Sequence, residues 1–284
     1  MPHWTVDTPV SLGFEDVKRL NVRLIGGTVA VLASDEGPSL AVSEIKGRPL
    51  QVDYSGGTLT IGYEKLTWER LLDFLKLQDD KAAVTVTVPA NCPVQLGVVS
   101  ASALMSGLAS GASVKGVSGD ITLDGVSGGI EANTVSGELQ ARSIDGPVRF
   151  ESVSGELTLA DSSISALKGQ NVSGRVTADV TLVAPGGVDV TTLSGEVTLR
   201  LPDDTDAKVR LNSVSGKVQA EFGSLQVNKA PASHTVSGSV GAGTGHVSVT
   251  SVSGSITLLR RPERRTSPHA GPPRAQAGTE SETR

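Results

Sequence analysis

Residues 152–159 read SVSGELTL, and close variants return as SVSGKVQA at 213–220 and SVSGSITL at 251–258. Each copy contains an aliphatic residue, two turn-forming residues, a polar residue and then an aliphatic–polar–apolar triplet. Alternation with a period of two in so short a triplet predicts a strand with one buried face. The repeat therefore predicts many short strands separated by tight turns.

The copies are regularly spaced along the chain. The V-S-G word, or L-S-G in one copy, starts at the following residues: Val117, Val126, Val135, Val153, Val172, Leu193, Val214, Val236 and Val252. From 117 to 153 the spacing is nine residues, with IDG at 144–146 filling one gap, and later copies are 16 to 22 residues apart. Short strands that stack on identical neighbours form a solenoid. We predict an all-β solenoid of roughly eight coils over residues 99–259, with 18–22 residues and two strands per coil.

Stacking of the coils would place equivalent residues in columns. We predict that the first aliphatic residue of each coil forms a buried structural ladder of Val117, Val135, Val153, Val172, Leu193, Val214, Val236 and Val252. A second buried column is predicted from Ile121, Leu139, Leu157, Val176, Val197, Val218, Val240 and Ile256. The repeat glycines, which would shape the turns, are Gly119, Gly137, Gly155, Gly174, Gly195, Gly216, Gly238 and Gly254. With these columns, Val153→Asp should cost far more stability than Ser154→Ala, because only the former buries an unpaired charge.

The segments that flank the repeats differ from them in composition. Residues 1–98 hold six of the eight aromatic residues and predict a β-rich cap with one short helix at 67–77. Such a cap would cover the unpaired strand edge at the end of a solenoid. Residues 260–284 are polar and contain prolines, which predicts a disordered tail whose basic start could touch an acidic surface.

Composition excludes several classes of protein. The net charge is −5, so the chain lacks the basic surface that nucleic-acid binding requires. Cys92 is the single cysteine, which rules out an intrachain disulfide. The N-terminus resembles no secretory signal, and no apolar stretch is long enough to span a membrane. We therefore expect a cytoplasmic location, with an envelope-associated one as the alternative.

The sequence offers few groups for catalysis. A nucleophilic serine needs a nearby base, and no histidine recurs with the repeated serines. His234 and His246 could approach each other, but they have no cysteine or carboxylate partner at metal-ligand spacing. The tightest acidic cluster, Asp203, Asp204 and Asp206, falls in a Pro-containing turn. We predict no catalytic residue, metal site or cofactor.

The V-S-G repeats resemble those of the bacterial putative-adhesin domain family, a domain of unknown function. The segments FEDVKRLNVRLIGGTVAV at 14–31 and VTVTVPANCPVQLGVVSASALMSG at 84–107 are similar to its N-terminal half. The resemblance covers about residues 4–258. It implies that the solenoid is a right-handed parallel β-helix and that the role is not enzymatic.

These observations favour a non-catalytic β-solenoid scaffold or protein-interaction module. Its partner would be an unknown protein or a second copy bound through the solenoid ends. A surface or envelope-associated adhesin is one alternative. A polysaccharide-active β-helix enzyme is the other, with Asp203, Asp204 and Asp206 as its candidate residues.

Overall fold

The computed structural model describes residues 2–63, 80–230 and 233–262, and every regular element within them is a β-strand. The predicted helix at 67–77 and most of the predicted tail at 260–284 lie outside these residues. The strands that precede the regular repeats are β1 (His3–Val6), β2 (Val10–Gly13), β3 (Arg19–Leu24), β4 (Gly26–Ala33), β5 (Ser39–Lys46), β6 (Leu50–Ser55), β7 (Thr58–Gly62), β8 (Lys81–Val88) and β9 (Val94–Val98).

The remaining strands carry the repeats and the C-terminal end. They are β10 (Ser102–Ser106), β11 (Ala112–Gly116), β12 (Ile121–Asp124), β13 (Ile130–Thr134), β14 (Glu138–Arg142), β15 (Val148–Ser152), β16 (Glu156–Asn171), β17 (Val176–Thr192), β18 (Val197–Pro202), β19 (Ala207–Ser213), β20 (Val218–Ala220), β21 (Gln226–Ala230), β22 (Ser233–Val240), β23 (Gly245–Ser251) and β24 (Ile256–Arg261). The chain is therefore all-β and solenoid-like, as its repeats predict.

Two parallel ladders of hydrogen-bonded strands form the body of the solenoid. We call them sheet 1 and sheet 2. Sheet 1 runs in the order β7, β3, β9, β11, β13, β15, the second parts of β16 and β17, β23 and β19. Sheet 2 runs in the order β8, β4, β10, β12, β14, the first parts of β16 and β17, β18, β24 and β20. Each coil contributes one strand to each sheet.

The parallel ladders extend to the N-terminal side of residue 98, the predicted domain boundary. β3 pairs with β9 and β4 pairs with β10, so the chain before residue 98 already supplies solenoid strands. The strands that behave as a cap are antiparallel: β6 and β5 pair with the outermost β7 and β8, and β1 and β2 pair with β6 and β5. They cover an edge that would otherwise expose unpaired backbone groups.

The order of the coils along the axis departs from the order in the sequence at the C-terminal end. β23 and β24 insert between β17/β18 and β19/β20, so the last coil of the sequence is not the last coil of the rod. The outermost β19 is then covered by β22, which pairs with it in antiparallel fashion, and β21 adds to β22. The predicted stacking order, which follows the sequence, is wrong here.

The core lies between the two sheets and is almost entirely aliphatic. The second predicted column is buried from Ile121 to Ile256, with pairings Ile121–Leu139–Leu157–Val176–Val197–Ile256–Val218; of these, Val218 is half-buried. Val240 is also buried but lies in the antiparallel β22. Phe150 is fully buried between Ala132 and Gly169 of neighbouring coils. Small residues on either side make room for the one large ring, as close packing requires.

Candidate functional site

The corner that joins each sheet-1 strand to the next sheet-2 strand carries the repeated V-S-G word. The residue before that word is polar and buried in six coils, as Thr134, Ser152, Asn171, Thr192, Ser251 and Ser213. Its side chain serves the turn: the Gly155 amide donates to Ser152 Oγ at 2.7 Å, and the Gly195 amide donates to Thr192 Oγ1 at 2.9 Å. A hydroxyl that accepts from the amide three residues later closes a turn in the way a helix N-cap does. The true repeat unit is thus a buried polar residue followed by V-S-G.

The aliphatic residue of this unit points outward. In β15, Val148, Phe150 and Ser152 are buried, so continued alternation places Val153 on the outer face. Val153 is 51% exposed, and its equivalents are 44–52% exposed. The prediction that the first aliphatic residues stack inside is therefore wrong for six of the eight. These six, which we call the aliphatic ladder, are Val135, Val153, Val172, Leu193, Val252 and Val214.

Two members of the predicted ladder lie elsewhere. Val117 is buried, one coil before Val135. Val236 is fully buried in β22, where it faces Leu211 of the antiparallel β19. Gly238 of the same V-S-G word therefore belongs to the covering strand and not to the row of repeat glycines.

Backbone hydrogen bonds give the order of the aliphatic ladder along the axis. Each serine amide donates to the carbonyl of the aliphatic residue in the preceding coil, as Ser154 does to Val135 and Ser253 to Leu193. The Ser215 amide donates to Val252, so Val214 is the outermost member. Adjacent parallel strands are about 4.8 Å apart, so six members span roughly 24 Å. The surface is a narrow, straight apolar stripe.

The serine of each V-S-G word has a structural role. Its hydroxyl donates to the same carbonyl as its amide, with Oγ–O distances of 3.1–3.3 Å. The serines that do so are Ser118, Ser136, Ser154, Ser173, Ser194, Ser253 and Ser215. A hydroxyl that donates to a backbone carbonyl is not activated by a base, so this row supplies no nucleophile. The repetition of serine reflects repeated turns.

The repeat glycines lie where consecutive coils approach most closely. A Cβ on Gly195 would lie 2.2 Å from the carbonyl oxygen of Gly174, and one on Gly254 would lie 1.8 Å from that of Gly195. The same short approach to the neighbouring coil recurs at Gly119, Gly137, Gly155, Gly174, Gly195, Gly254 and Gly216. No side chain fits between the stacked backbones, so glycine is needed here for space.

A shallow groove of about 740 Å³ runs along the aliphatic ladder. One wall consists of the ladder from Val135 to Val252. The other wall is the outward column of sheet 1, which lies two residues earlier in each coil: Asn133, Glu151, Gln170 and Thr191. The groove thus combines an aliphatic wall with a wall of neutral hydrogen-bonding groups and one carboxylate.

A charged column borders the ladder on the side of sheet 2. It follows the repeat glycines and reads, in spatial order, Glu138, Glu156, Arg175, Glu196, Ser255 and Lys217. Arg175 lies between two carboxylates, at 3.7 Å from Glu156 and 3.6 Å from Glu196. These pairs are half-exposed to solvent and contribute less than about 1 kcal/mol each. Their consequence is the sign pattern that the rim presents to an approaching molecule.

The second corner of each coil uses similar words with the opposite orientation. Val126 and Ile144 open VSG and IDG words, yet both are buried. The residue before each is left-handed, with φ of 62° at Gly125 and 54° at Ser143. That extra residue interrupts the alternation of the strand and turns the following aliphatic side chain inward. Exposed aliphatic residues therefore form a row at only one of the two corners.

The remaining predicted candidates do not assemble into a site. His234 Nδ1 lies 2.8 Å from the Gly216 carbonyl, whereas His246 Nε2 lies 3.0 Å from an Asp189 carboxylate oxygen. Each histidine thus has its own partner. The structure does not bring the two together at a metal site: among the residues it describes, no cluster of three or more metal-ligating side chains occurs.

The acidic turn at 203–206 and the single thiol also have structural explanations. Asp206 accepts hydrogen bonds from the Thr244 and Gly243 amides, and these lower the pKa of its carboxyl. Asp203 pairs with Arg260 at 3.2 Å, and Asp204 is exposed. Cys92 is buried, as its isolation in the sequence predicts, and burial raises the pKa of its thiol to about 11. At neutral pH this thiol is protonated and inert.

No helix among residues 2–63, 80–230 and 233–262 has the length and apolar character needed to cross a membrane.

The fold and its corners define a repeat protein of the β-solenoid class, with one exposed aliphatic row. Residues 17–259 match the family model described as Toastrack DUF4097, and the chain therefore belongs to that family. The resemblance predicted from the V-S-G words is confirmed. No curated protein matches the sequence significantly.

Several solved structures are similar to this chain at low sequence identity. A putative adhesin from Bacteroides fragilis has 12% identity and a TM-score of 0.44, covering 89% of this chain and 98% of its own. A putative lipid binding protein from Parabacteroides distasonis has 12% identity and a TM-score of 0.34, covering 89% and 97%. A putative cell adhesion protein from Clostridium sporogenes has 11% identity and a TM-score of 0.27, covering 89% and 100%. Similarities this distant leave the function of this chain to be argued from its own residues.

Sequence reasoning missed the aliphatic ladder because valine and leucine in a repeat were assigned to the core. Two signals could have found it. The residue before the word is polar in every strong copy, which fits a hydrogen-bonded turn with the aliphatic residue outside. The spacings of 22 and then 16 residues around Val236 depart from the pattern, and Val236 is the copy that lies outside the row.

Proposed function

We propose that this chain is a non-catalytic interaction module that binds another protein chain along the aliphatic ladder. The observation that carries the proposal is the row of six aliphatic residues, each about half-exposed, on a surface otherwise lined by polar side chains. An exposed contiguous apolar patch on a soluble domain marks an interaction site more often than chance. The serines beside it are committed to the backbone and supply no chemistry.

The scaffold suits such a role because it is repetitive and held together by backbone pairing. Parallel crossover connections are right-handed in nearly all proteins, so we also propose a right-handed coil. The coil count of about eight, the helix at 67–77 and the cytoplasmic location stay predictions. The polysaccharide-active enzyme is not supported, since Asp203 and Asp206 are engaged in an ion pair and a turn.

A photo-crosslinking amino acid placed at Leu193 in the full chain tests this proposal in living cells. We expect discrete protein adducts after irradiation, because a partner bound along the ladder would lie within reach of this side chain. The matched control is Val183, which is 50% exposed and lies away from the ladder, compared with 52% for Leu193. Adducts at Leu193 and not at Val183 support the proposal. Absence of adducts at Leu193, or the same adducts at both positions, contradicts it.

A further inference from the structure

We propose that the aliphatic ladder binds a second copy of this chain, with the two ladders antiparallel and a two-fold axis between Val172 and Leu193. This rests on the proposed function and names the partner. The first argument is the repeat distance. Members of the ladder recur about every 4.8 Å, whereas an extended peptide presents side chains on one face every 6.6 Å or so. Another identical ladder stays in step over all six members.

The two-fold axis would use the whole ladder. Val172 would face Leu193 of the second copy, Val153 would face Val252, and Val135 would face Val214. An isologous contact of this kind uses the same surface patch on both subunits and closes without forming a fibre. The axis lies at the centre of the six members, so no exposed member is left without a partner.

The charged column supplies the second argument. A two-fold axis that makes the ladders antiparallel also brings the sheet-2 rim of one copy against the sheet-2 rim of the other. Arg175 then lies opposite Glu196 of the second copy, and Glu138 lies opposite Lys217. Symmetry makes each of these pairs occur twice. The rim is therefore complementary to itself in this arrangement.

The parallel arrangement is opposed by the same charges. It would bring the sheet-2 rim against the outer column of sheet 1, which reads Glu131, Arg149, Lys168, Asp189, Ser248 and Arg210 in spatial order. In that arrangement Arg175 would face Lys168 and Glu196 would face Asp189. Like charges would also meet at two further positions, Glu138 with Glu131 and Lys217 with Arg210. The sign pattern thus selects the antiparallel orientation.

The size of the surface sets the expected strength. A standard specific interface buries about 800 Å² on each partner. A stripe roughly 24 Å long would have to be more than 30 Å wide to reach that area, which exceeds the ladder and its two flanking columns. We therefore expect a weak dimer that dissociates in the micromolar range and not an obligate one.

Sedimentation equilibrium of the full chain between about 5 and 500 µM tests the proposal. We expect the weight-average mass of the unchanged protein to rise from 29.1 kDa toward twice that value. Leu193→Glu should remain monomeric over this range, because it places two carboxylates at the centre of the contact. Val183→Glu adds the same charge at a similarly exposed site and should dimerise like the unchanged protein. Unchanged thermal unfolding of both variants shows that they are folded.

A charge exchange tests the antiparallel orientation. Glu138→Lys and Lys217→Glu should each weaken dimerisation roughly tenfold, since each converts two attractive contacts into repulsive ones. The double variant should recover the unchanged affinity, and high salt should reduce all three differences. A monomeric unchanged protein, or a double variant without recovery, overturns the proposal. Adducts with a different protein at Leu193 would still support the proposed function in that case.

Discussion

Replacing Gly254 with alanine should lower the free energy of unfolding by about 3 kcal/mol, a large change for a single methyl group. The new Cβ would lie 1.8 Å from the Gly195 carbonyl oxygen and 2.7 Å from its carbon. Both atoms belong to the backbone of the adjacent coil, so no side-chain rotation relieves the contact. The coils must separate locally, which weakens the hydrogen bonds that stack them.

Urea denaturation followed by circular dichroism measures this effect. The control is Gly223→Ala, because a Cβ on Gly223 would meet no atom within 4 Å. The control should change the free energy of unfolding by less than about 0.5 kcal/mol. If Gly254→Ala proved as stable as Gly223→Ala, the close stacking of repeat glycines would be wrong.

Leu157→Asp should prevent folding or lower the free energy of unfolding by about 4 kcal/mol or more. Leu157 is fully buried in the sheet-2 column between Leu139 and Val176, so its replacement leaves an unpaired carboxylate in an aliphatic core. Val153→Asp, four residues earlier, should cost less than about 1 kcal/mol because Val153 is 51% exposed. The expectation from sequence that Val153→Asp is severely destabilising is thus replaced by the opposite one.

The alanine variants make this comparison measurable even if Leu157→Asp does not fold. Leu157→Ala should lower the free energy of unfolding by about 2–5 kcal/mol, and Val153→Ala should have a far smaller effect. The unfolding midpoints of the four proteins in urea give the comparison. Equal losses at positions 153 and 157 would mean that the corner is inside the solenoid.

The sequence predicted the solenoid and one of its core columns because those features depend on local alternation. Ile121, Leu139 and Leu157 each begin an apolar–polar–apolar triplet, and strand geometry alone makes them buried. The same local rule fails at a corner, where the orientation of a side chain depends on the strand before it. Val135 continues an alternating strand and points outward, whereas Val126 follows the left-handed Gly125 and points inward.

The order of the last coils could not be predicted from local sequence. The words at 214 and 252 are nearly identical, so either could stack on Leu193. The structure chooses Val252, which lies 59 residues along the chain from Leu193. This choice depends on long-range pairing, because β22 covers β19 only if β19 is outermost. The composition of the ladder therefore follows from the sequence, and its order follows from the fold.

The most direct test of the outward orientation is thiol accessibility in the native protein. Val172→Cys and Val176→Cys place thiols four residues apart in the same coil, where Val172 is 46% exposed and Val176 is 1% exposed. Cys92 contributes little background at neutral pH, because its pKa is raised to about 11.

We predict that maleimide at pH 7 modifies Val172→Cys within minutes, with one added mass, while Val176→Cys and the unchanged protein react only in denaturant. Protection of the thiol at position 172 at a concentration where sedimentation shows only monomer, or rapid reaction at position 176, would contradict an outward aliphatic ladder.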